Sequence, residues 1–301
     1  TRHKKSNSAD LVQSDLQSTR TSSVPPSATA FSSLDREGLE RVTEIGRKEK
    51  WLIEEGELDI LKEAALGTGG FGLVMSGAFH SVPVAIKVPK TFRGEFSLVD
   101  FGNELRILRK LSHPHIVSFY GACIDFRNGD AALVMELAQG YGMDAFIRGA
   151  GFGGRQPSSG ARCQCLFGIC RALLYLHSQK PGVVHGDLKH TNIMVIHMDD
   201  YPLGRASVTA KLLDFGLARI LTGRTKPLGG TARWRAPELF VTQPLPHPAA
   251  DVFSFGCLVF FAASGEEPFQ ALGQETIQSM RRRGRWLQLC WPVGALLLGQ
   301  C

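Results

Sequence analysis

Within six residues, the run His185-Gly186-Asp187-Leu188-Lys189-His190-Thr191-Asn192 brings together an aspartate, a lysine two positions on and an asparagine five positions on. Downstream, Asp214-Phe215-Gly216 adds a second carboxylate. Whatever fold this chain adopts must crowd an acid, a cation and an amide onto one short loop and hold them there. Transfer of a phosphoryl group needs such a set: a carboxylate at the acceptor hydroxyl, a cation near the moving charge, and oxygen ligands for a metal ion.

Upstream, Gly67-Thr68-Gly69-Gly70-Phe71-Gly72-Leu73-Val74 reads as a glycine-rich turn between strand-like residues. Glycine lets the backbone approach phosphates closely and adopt positive φ. A dinucleotide-binding turn has a similar pattern, but it needs a helix directly after the glycines and an acidic residue about twenty positions on. Here a strand follows, and Lys87 stands at that place. Val84-Ala85-Ile86-Lys87 puts this lysine in an apolar strand, where burial without an anion would be costly. Glu104, on the following helical stretch, is the expected partner.

In order and rough spacing, the Gly67 loop, Lys87, Glu104, the His185 run, Asp214-Phe215-Gly216 and Ala236-Pro237-Glu238 resemble the signature set of the eukaryotic protein kinase domain. The resemblance covers residues from about 57 to 270. It implies an α+β bilobal fold, with a small antiparallel-sheet N-lobe bearing one helix and a mainly helical C-lobe. It also implies ATP as phosphoryl donor and Mg²⁺, or Mn²⁺ in its place, as metal. Gly67, Thr68, Gly69, Gly70, Phe71 and Gly72 would cover the phosphates. Lys87, held by Glu104, would position them. Asp187 would accept the hydroxyl proton, Lys189 would stabilise the moving charge, and Asn192 and Asp214 would hold the metal. Val74, Ala85 and Met194 would sandwich adenine, with Met135 as gatekeeper and Glu136 to Ala138 as the hinge. Leu108, Phe119, His185 and Phe215 match a hydrophobic spine that Asp251 anchors.

Lys189 and Gly230-Thr231 are similar to serine/threonine enzymes, so the implied substrates are Ser and Thr hydroxyls of proteins in signalling. The His-Gly-Asp variant, Trp234 and the lead-in around Trp51 are similar to the tyrosine-kinase-like group. Gly186 stands where most of the family carries Arg. It cannot make the charge-assisted contact that a phosphorylated activation loop uses. Activity is therefore expected not to depend on phosphorylation at Thr222 or Thr225 through that contact.

Residues 1–34 are rich in Ser and Thr with hardly an aromatic, and are expected to be disordered. Residues 35–56 read as a helix and linker, 57–137 as the N-lobe, 138–280 as the C-lobe and 281–301 as a divergent end. Residues 148–160 and 197–207 read as loops. Helices are expected over Phe96 to Leu111 and Arg162 to His177, and strands over Val82 to Val88, Val117 to Tyr120 and Leu133 to Leu137. Cys163 and Cys170, seven apart, would share a buried helix face, and the seven cysteines show no disulfide or zinc framework. A reducing cytoplasm fits that usage.

The net charge of +6 is modest and scattered, so no nucleic-acid partner is implied, and no apolar run is long enough to span a membrane. Arg281-Arg282-Arg283 with Arg285 reads as a solvated basic turn. After about residue 280 the chain departs from the family pattern and reads as truncated. No arginine matches the one expected to pair with Glu238, which would leave a buried carboxylate unpaired and apolar surface exposed at the base of the lobe. The incomplete lobe raises the alternative of an inactive kinase-fold scaffold. The usual marks of one, loss of the lysine, the catalytic aspartate or the metal aspartate, are absent.

Overall fold

The computed structural model describes residues 33–54, 56–69, 72–89, 91–92, 95–96, 98–125, 130–151, 153–198, 207–222, 228–240, 245–285 and 287–291. All of the expected disordered tail but residues 33 and 34, most of the 197–207 loop and most of the divergent end lie outside them.

The chain enters through α1 (Ser33–Glu49) and builds a sheet from β1 (Leu58–Gly69), β2 (Gly72–Phe79) and β3 (Val82–Pro89). A small ladder, β4 (Thr91–Phe92) with β5 (Glu95–Phe96), precedes α2 (Leu98–Leu108). Then β6 (Phe119–Asp125) and β7 (Asp130–Glu136) complete a five-stranded antiparallel sheet of order β1-β2-β3-β7-β6. Only glycine suits the start of β2. Gly72 has φ +145°, and a Cβ there would lie 2.1 Å from the Val88 carbonyl oxygen.

On α2, Phe101, Leu105 and Leu108 repeat at helical spacing and are all buried, and Glu104 lies buried on the same face. This helix is shorter than the expected 96–111, because Lys110 and Leu111 close tight turns onto Ile107 and Leu108. Val117 also differs from expectation. Its N–H donates to the Leu212 carbonyl at 3.0 Å, so it ties the sheet domain to the lobe below rather than extending β6.

The lower lobe follows β8 (Tyr141–Gly142) with α3 (Met143–Ile147), α4 (Ser159–Ser178), β9 (Val183–Val184), β10 (Ile193–Met198), β11 (Ser207–Leu212) and β12 (Arg219–Ile220). Helices α5 (Pro248–Ser264) and α6 (Gln274–Arg282) close it. Ser158 caps α4 by accepting from Ala161 N at 3.2 Å. Gly265, left-handed at φ +76°, ends α5. Arg162, 1% exposed, donates to the carbonyls of Pro157 and Ala262, so the end of the expected 148–160 loop is fixed to α5.

The inward face of α4 carries Cys165, Ile169, Ala172, Leu173 and Leu176. Cys163 is only half-buried and Cys170 is exposed, contrary to expectation. They do share a face, but Cys165 faces the core, two residues and about 200° round the helix from Cys163. The six described cysteines are free thiols. Among the described residues no helix is long and apolar enough to cross a membrane.

Residues 51–53 are pinned to the sheet. Ile53 N donates to the Ala122 carbonyl and Ala122 N to the Trp51 carbonyl, each at 2.9 Å. Trp51, 8% exposed, packs into the main core, its ring against Gly46 of α1. At the other end, Trp291 stacks edge-on over buried Phe260 at 5.2 Å, covering part of the base that was expected to be bare. Replacing Trp51 with Ala should cost about 3 kcal/mol of unfolding free energy, measured by denaturant titration, because the cavity cannot refill without moving α1.

Candidate active site

Lys87 reaches the site from β3 and is 4% exposed. Its Nζ lies 2.6 Å from Glu104 Oε1 on α2 and 2.7 Å from Asp214 Oδ1. Burial works against the lysine's charge, but the two carboxylates outweigh it and push its pKa upward. Asp214 holds φ +57°, an uncommon conformation for a non-glycine residue, and Gly216 N donates to the same Oδ1 at 3.3 Å. The expected Lys87–Glu104 pair is thus present, and Asp214 joins it.

Asp187 occupies the turn after β9 and is 5% exposed. Its Oδ1 accepts from both the backbone N–H and the hydroxyl of Thr231, each at 2.9 Å. Its Oδ2 accepts from Lys189 Nζ at 2.7 Å, and Lys189 also donates to Thr231 Oγ1 at 2.8 Å. Burial alone would raise the Asp187 pKa. The charge of Lys189 and the hydrogen bonds from Lys189 and Thr231 more than offset it, holding the carboxyl below its ordinary value. Asn192 Nδ2 donates to the Asp187 carbonyl at 2.8 Å, and the Asn192 carbonyl accepts from Leu213 N, also at 2.8 Å. These bonds couple the Asp187 turn to the segment entering Asp214.

The Asp187 turn is hung from α5. Buried Asp251 accepts from His185 N and Gly186 N, each at 2.9 Å, and its Oδ2 lies 2.9 Å from His177 Nε2. The spine expected from sequence forms here in part: His185 meets Phe215 edge-on at 5.1 Å, and its Nε2 lies 3.1 Å from the Leu213 carbonyl. His177 was not anticipated. Its only sequence signal is position on the helix face turned towards α5.

Gly186 has φ +79°, and a Cβ there would come within 2.7 Å of Leu228 Cδ2 and 3.0 Å of the Leu217 carbonyl oxygen. Leu228, 4% exposed, packs with Val184, Ala236, Leu239 and Ala250. An apolar plug therefore fills the space beside residue 186.

The residues expected to face the nucleotide come from five strands and the turns beside them. Val74 on β2 is half-buried and opposite Lys87. Ala85 on β3 pairs with Met135 on β7, both buried, and Met194 comes from β10 of the lower lobe. Gly67 and Gly69 pair with Val74 and Gly72 across the β1–β2 ladder. Gly70, Phe71 and the Thr68 side chain lie outside the description. Ala138 is buried. Glu136, the first residue of the expected hinge, ends β7. Its carboxylate accepts from Lys211 Nζ at 2.8 Å and Ser118 N at 3.1 Å, and its N–H donates to the Ser118 carbonyl.

Two further expectations are corrected near the end of the chain. Glu238 is exposed, not buried. Arg281, expected in a solvated turn, is 5% exposed and donates to the Arg235 carbonyl at 2.8 Å. It lies among the rings of Phe240, Phe253 and Phe269, which draw the cation inward.

Comparison with known proteins identifies the family. The family model described as protein kinase domain matches residues 60–292, extending past the expected limit of about 270. The chain belongs to the protein kinase domain family. It is 32% identical over 73% of its length to a putative serine/threonine-protein kinase/receptor, R831, of Acanthamoeba polyphaga mimivirus. It is 34% identical over 72% of its length to U-box domain-containing protein 70 of Oryza sativa subsp. japonica. With the serine/threonine-protein kinase VIK of Arabidopsis thaliana it shares 30% identity over 75% of its length. The chain spans 13%, 26% and 50% of these three relatives respectively.

Two outcomes follow. Asp251→Ala strips acceptors from two backbone N–H groups, one of them buried, and should lower unfolding free energy by about 3 kcal/mol in urea titration. The depressed Asp187 pKa also sets a pH dependence. Its contribution to stability is complete above the ordinary aspartate value of 3.8 and is lost as pH falls through the lower folded-state value. Asp187→Asn should therefore lose less stability than wild type on acidification below about pH 4, read by the same titration at stepped pH.

Proposed function

We propose that the protein transfers the γ-phosphoryl group of ATP to Ser and Thr hydroxyls of protein substrates, as a signalling kinase of the tyrosine-kinase-like group acting in the cytoplasm. The observation that carries this reading is the Asp187–Thr231–Lys189 triangle, set in one hydrogen-bonded system with Asn192 and the Asp214 segment. A hydroxyl already occupies the Asp187 carboxylate, as an acceptor hydroxyl must. The depressed pKa keeps that carboxylate ionised and able to take the proton. Lys189, 2.7 Å away, places positive charge where the phosphoryl group would pass.

Lys87 would orient the α- and β-phosphates beneath the glycine turn, with Val74, Ala85, Met135, Met194 and the hinge from Glu136 to Ala138 around adenine. The lobes, 57–137 and 138–280, would meet around that site. Asn192 Oδ1 and Asp214 Oδ2 accept no hydrogen bond from the described residues, and hard oxygen donors of this kind suit Mg²⁺. Bound there, the ion would neutralise phosphate charge.

Radiolabel transfer from ATP to a generic protein substrate tests this reading. Lys87→Met and Asp187→Asn should each lower the rate at least about a hundredfold. Equal signal from all three chains would favour the inactive scaffold. The Leu228 plug beside Gly186 supports control without activation-loop phosphate. Thr222→Ala with Thr225→Ala should then leave the rate within about twofold of wild type, since no charge-assisted contact is lost. A collapse of the rate in that double variant would refute it.

A further inference from the structure

The segment after Thr231 carries two arginines in contrasting surroundings. Arg233 is neutralised: its Nε lies 3.6 Å from Glu267 Oε2, and one of its terminal nitrogens donates to the Phe269 carbonyl at 2.7 Å. Arg235, two residues on, meets no carboxylate and donates no side-chain hydrogen bond among the described residues. Its guanidinium lies over the Phe240 ring at 3.9 Å, and its Nε is buried without an acceptor. Burial, with the nearby charge of Arg282, lowers its pKa.

Behind it stands Arg281, 5% exposed, whose side chain donates, among the described residues, to the Arg235 carbonyl alone and whose Nε is also buried without an acceptor. Glu238 lies near enough to attract Arg281, yet it is exposed and makes no ion pair with it among the described residues. Arg282, at the end of α6, and Arg283 and Arg285 just beyond it are exposed. Two guanidiniums with buried, unsatisfied N–H groups and no bonded carboxylate make a site short of negative charge.

The location of this deficit gives it meaning. Arg235 N donates to the Thr231 carbonyl at 3.0 Å, and its side chain passes within 3.5 Å of where a Gly230 Cβ would stand. The hydroxyl of Thr231 rests on Asp187. The anion-deficient site therefore begins one side chain away from the acceptor position.

We propose that Arg235, backed by Arg281 and Arg282, selects protein substrates that carry an acidic side chain directly beside the phosphorylated Ser or Thr. This rests on the kinase reading above. A carboxylate there would meet a planar guanidinium fork already held over Phe240, and such a fork can make paired hydrogen bonds to a carboxylate. It would also offset the mutual repulsion of Arg235 and Arg282.

The test uses the full chain and labelled peptides of one neutral sequence, with Glu, Ala or Lys placed immediately before or immediately after the acceptor position. Binding is read by fluorescence anisotropy on versions with Ala in place of the acceptor, and transfer as kcat/KM on the Ser versions. At one of the two positions Glu should bind about tenfold more tightly than Lys, the scale of one charge-assisted contact. Arg235→Glu should invert that order, and Arg235→Lys should keep it in weaker form. Each result is a ratio of peptides on one chain, so a partly unfolded variant leaves it unchanged. Equal binding of Glu and Lys peptides at both positions, or an unchanged order in Arg235→Glu, would overturn the proposal. Peptides bound in the expected order but never phosphorylated would uphold the anion site and refute the kinase activity instead.

Discussion

Burying the charge of Lys87 sets the terms for the rest of the molecule. An isolated ammonium at 4% exposure would cost several kcal/mol, more than a typical domain can spare. Two carboxylates must therefore converge on it, and they come from different places. Glu104 arrives on α2, whose apolar face seats it against the sheet, and Asp214 arrives on the segment after β11. One cation thus fixes the position of a helix and of a loop 127 residues away in sequence. The left-handed backbone of Asp214 is a cost of roughly 1 kcal/mol that persists because Lys87 and Gly216 both hold its Oδ1.

The second constraint runs through Asp251, and it works differently. Asp251 sits in α5, buried, and its hydrogen bonds go mainly to the backbone of the Asp187 turn rather than to a cation. Backbone N–H groups cannot rotate away, so the turn is held in place by its own peptide planes. Asn192 and Leu213 then carry that fixed geometry across to the Asp214 segment. Asp214 and Asp187 are positioned from two directions, by a buried cation above and by a buried anion below. Each arrangement would fail if its partner were removed, because an unpaired buried group costs more than the pair gains.

Sequence spacing revealed the residues of this system because the motifs are local and chemically dense. The Lys87–Glu104 pair and the Asp187, Lys189, Asn192 set could be read before any coordinates. What escaped was whatever depended on which face of an element turns inward. Helix α4 is apolar on several sides, so spacing put Cys163 and Cys170 on one face without saying that Cys165 held the core. Glu136 lies in the right strand, but Lys211 and Ser118, both distant in sequence, draw its carboxylate to themselves. Arg281 is the sharpest case. Four arginines in five residues read as solvent-exposed, and only the gathering of Phe240, Phe253 and Phe269 from three separate segments makes one of them an interior residue. His177 escaped likewise, since nothing local marks a histidine on a helix face as the partner of an aspartate 74 residues on.

The same contrast between charge and apolar burial explains how the segment before Thr231 is held. Where an arginine would leave a buried cation awaiting an anion, Gly186 leaves room, and Leu228 occupies it. Burying that leucine contributes about 2 kcal/mol, comparable to a charge-assisted hydrogen bond, but without a proton, phosphate or salt dependence. Gly230 then packs against the Gly186 carbonyl, and the next residue, Thr231, bonds both Asp187 and Lys189. Ordering of the segment and alignment of Thr231 with Asp187 and Lys189 are therefore one event, driven by apolar contact and by hydrogen bonds from a neutral threonine to two charged groups. Charge returns four residues on, at Arg235, where the guanidinium lies over the Phe240 ring instead of beside residue 186.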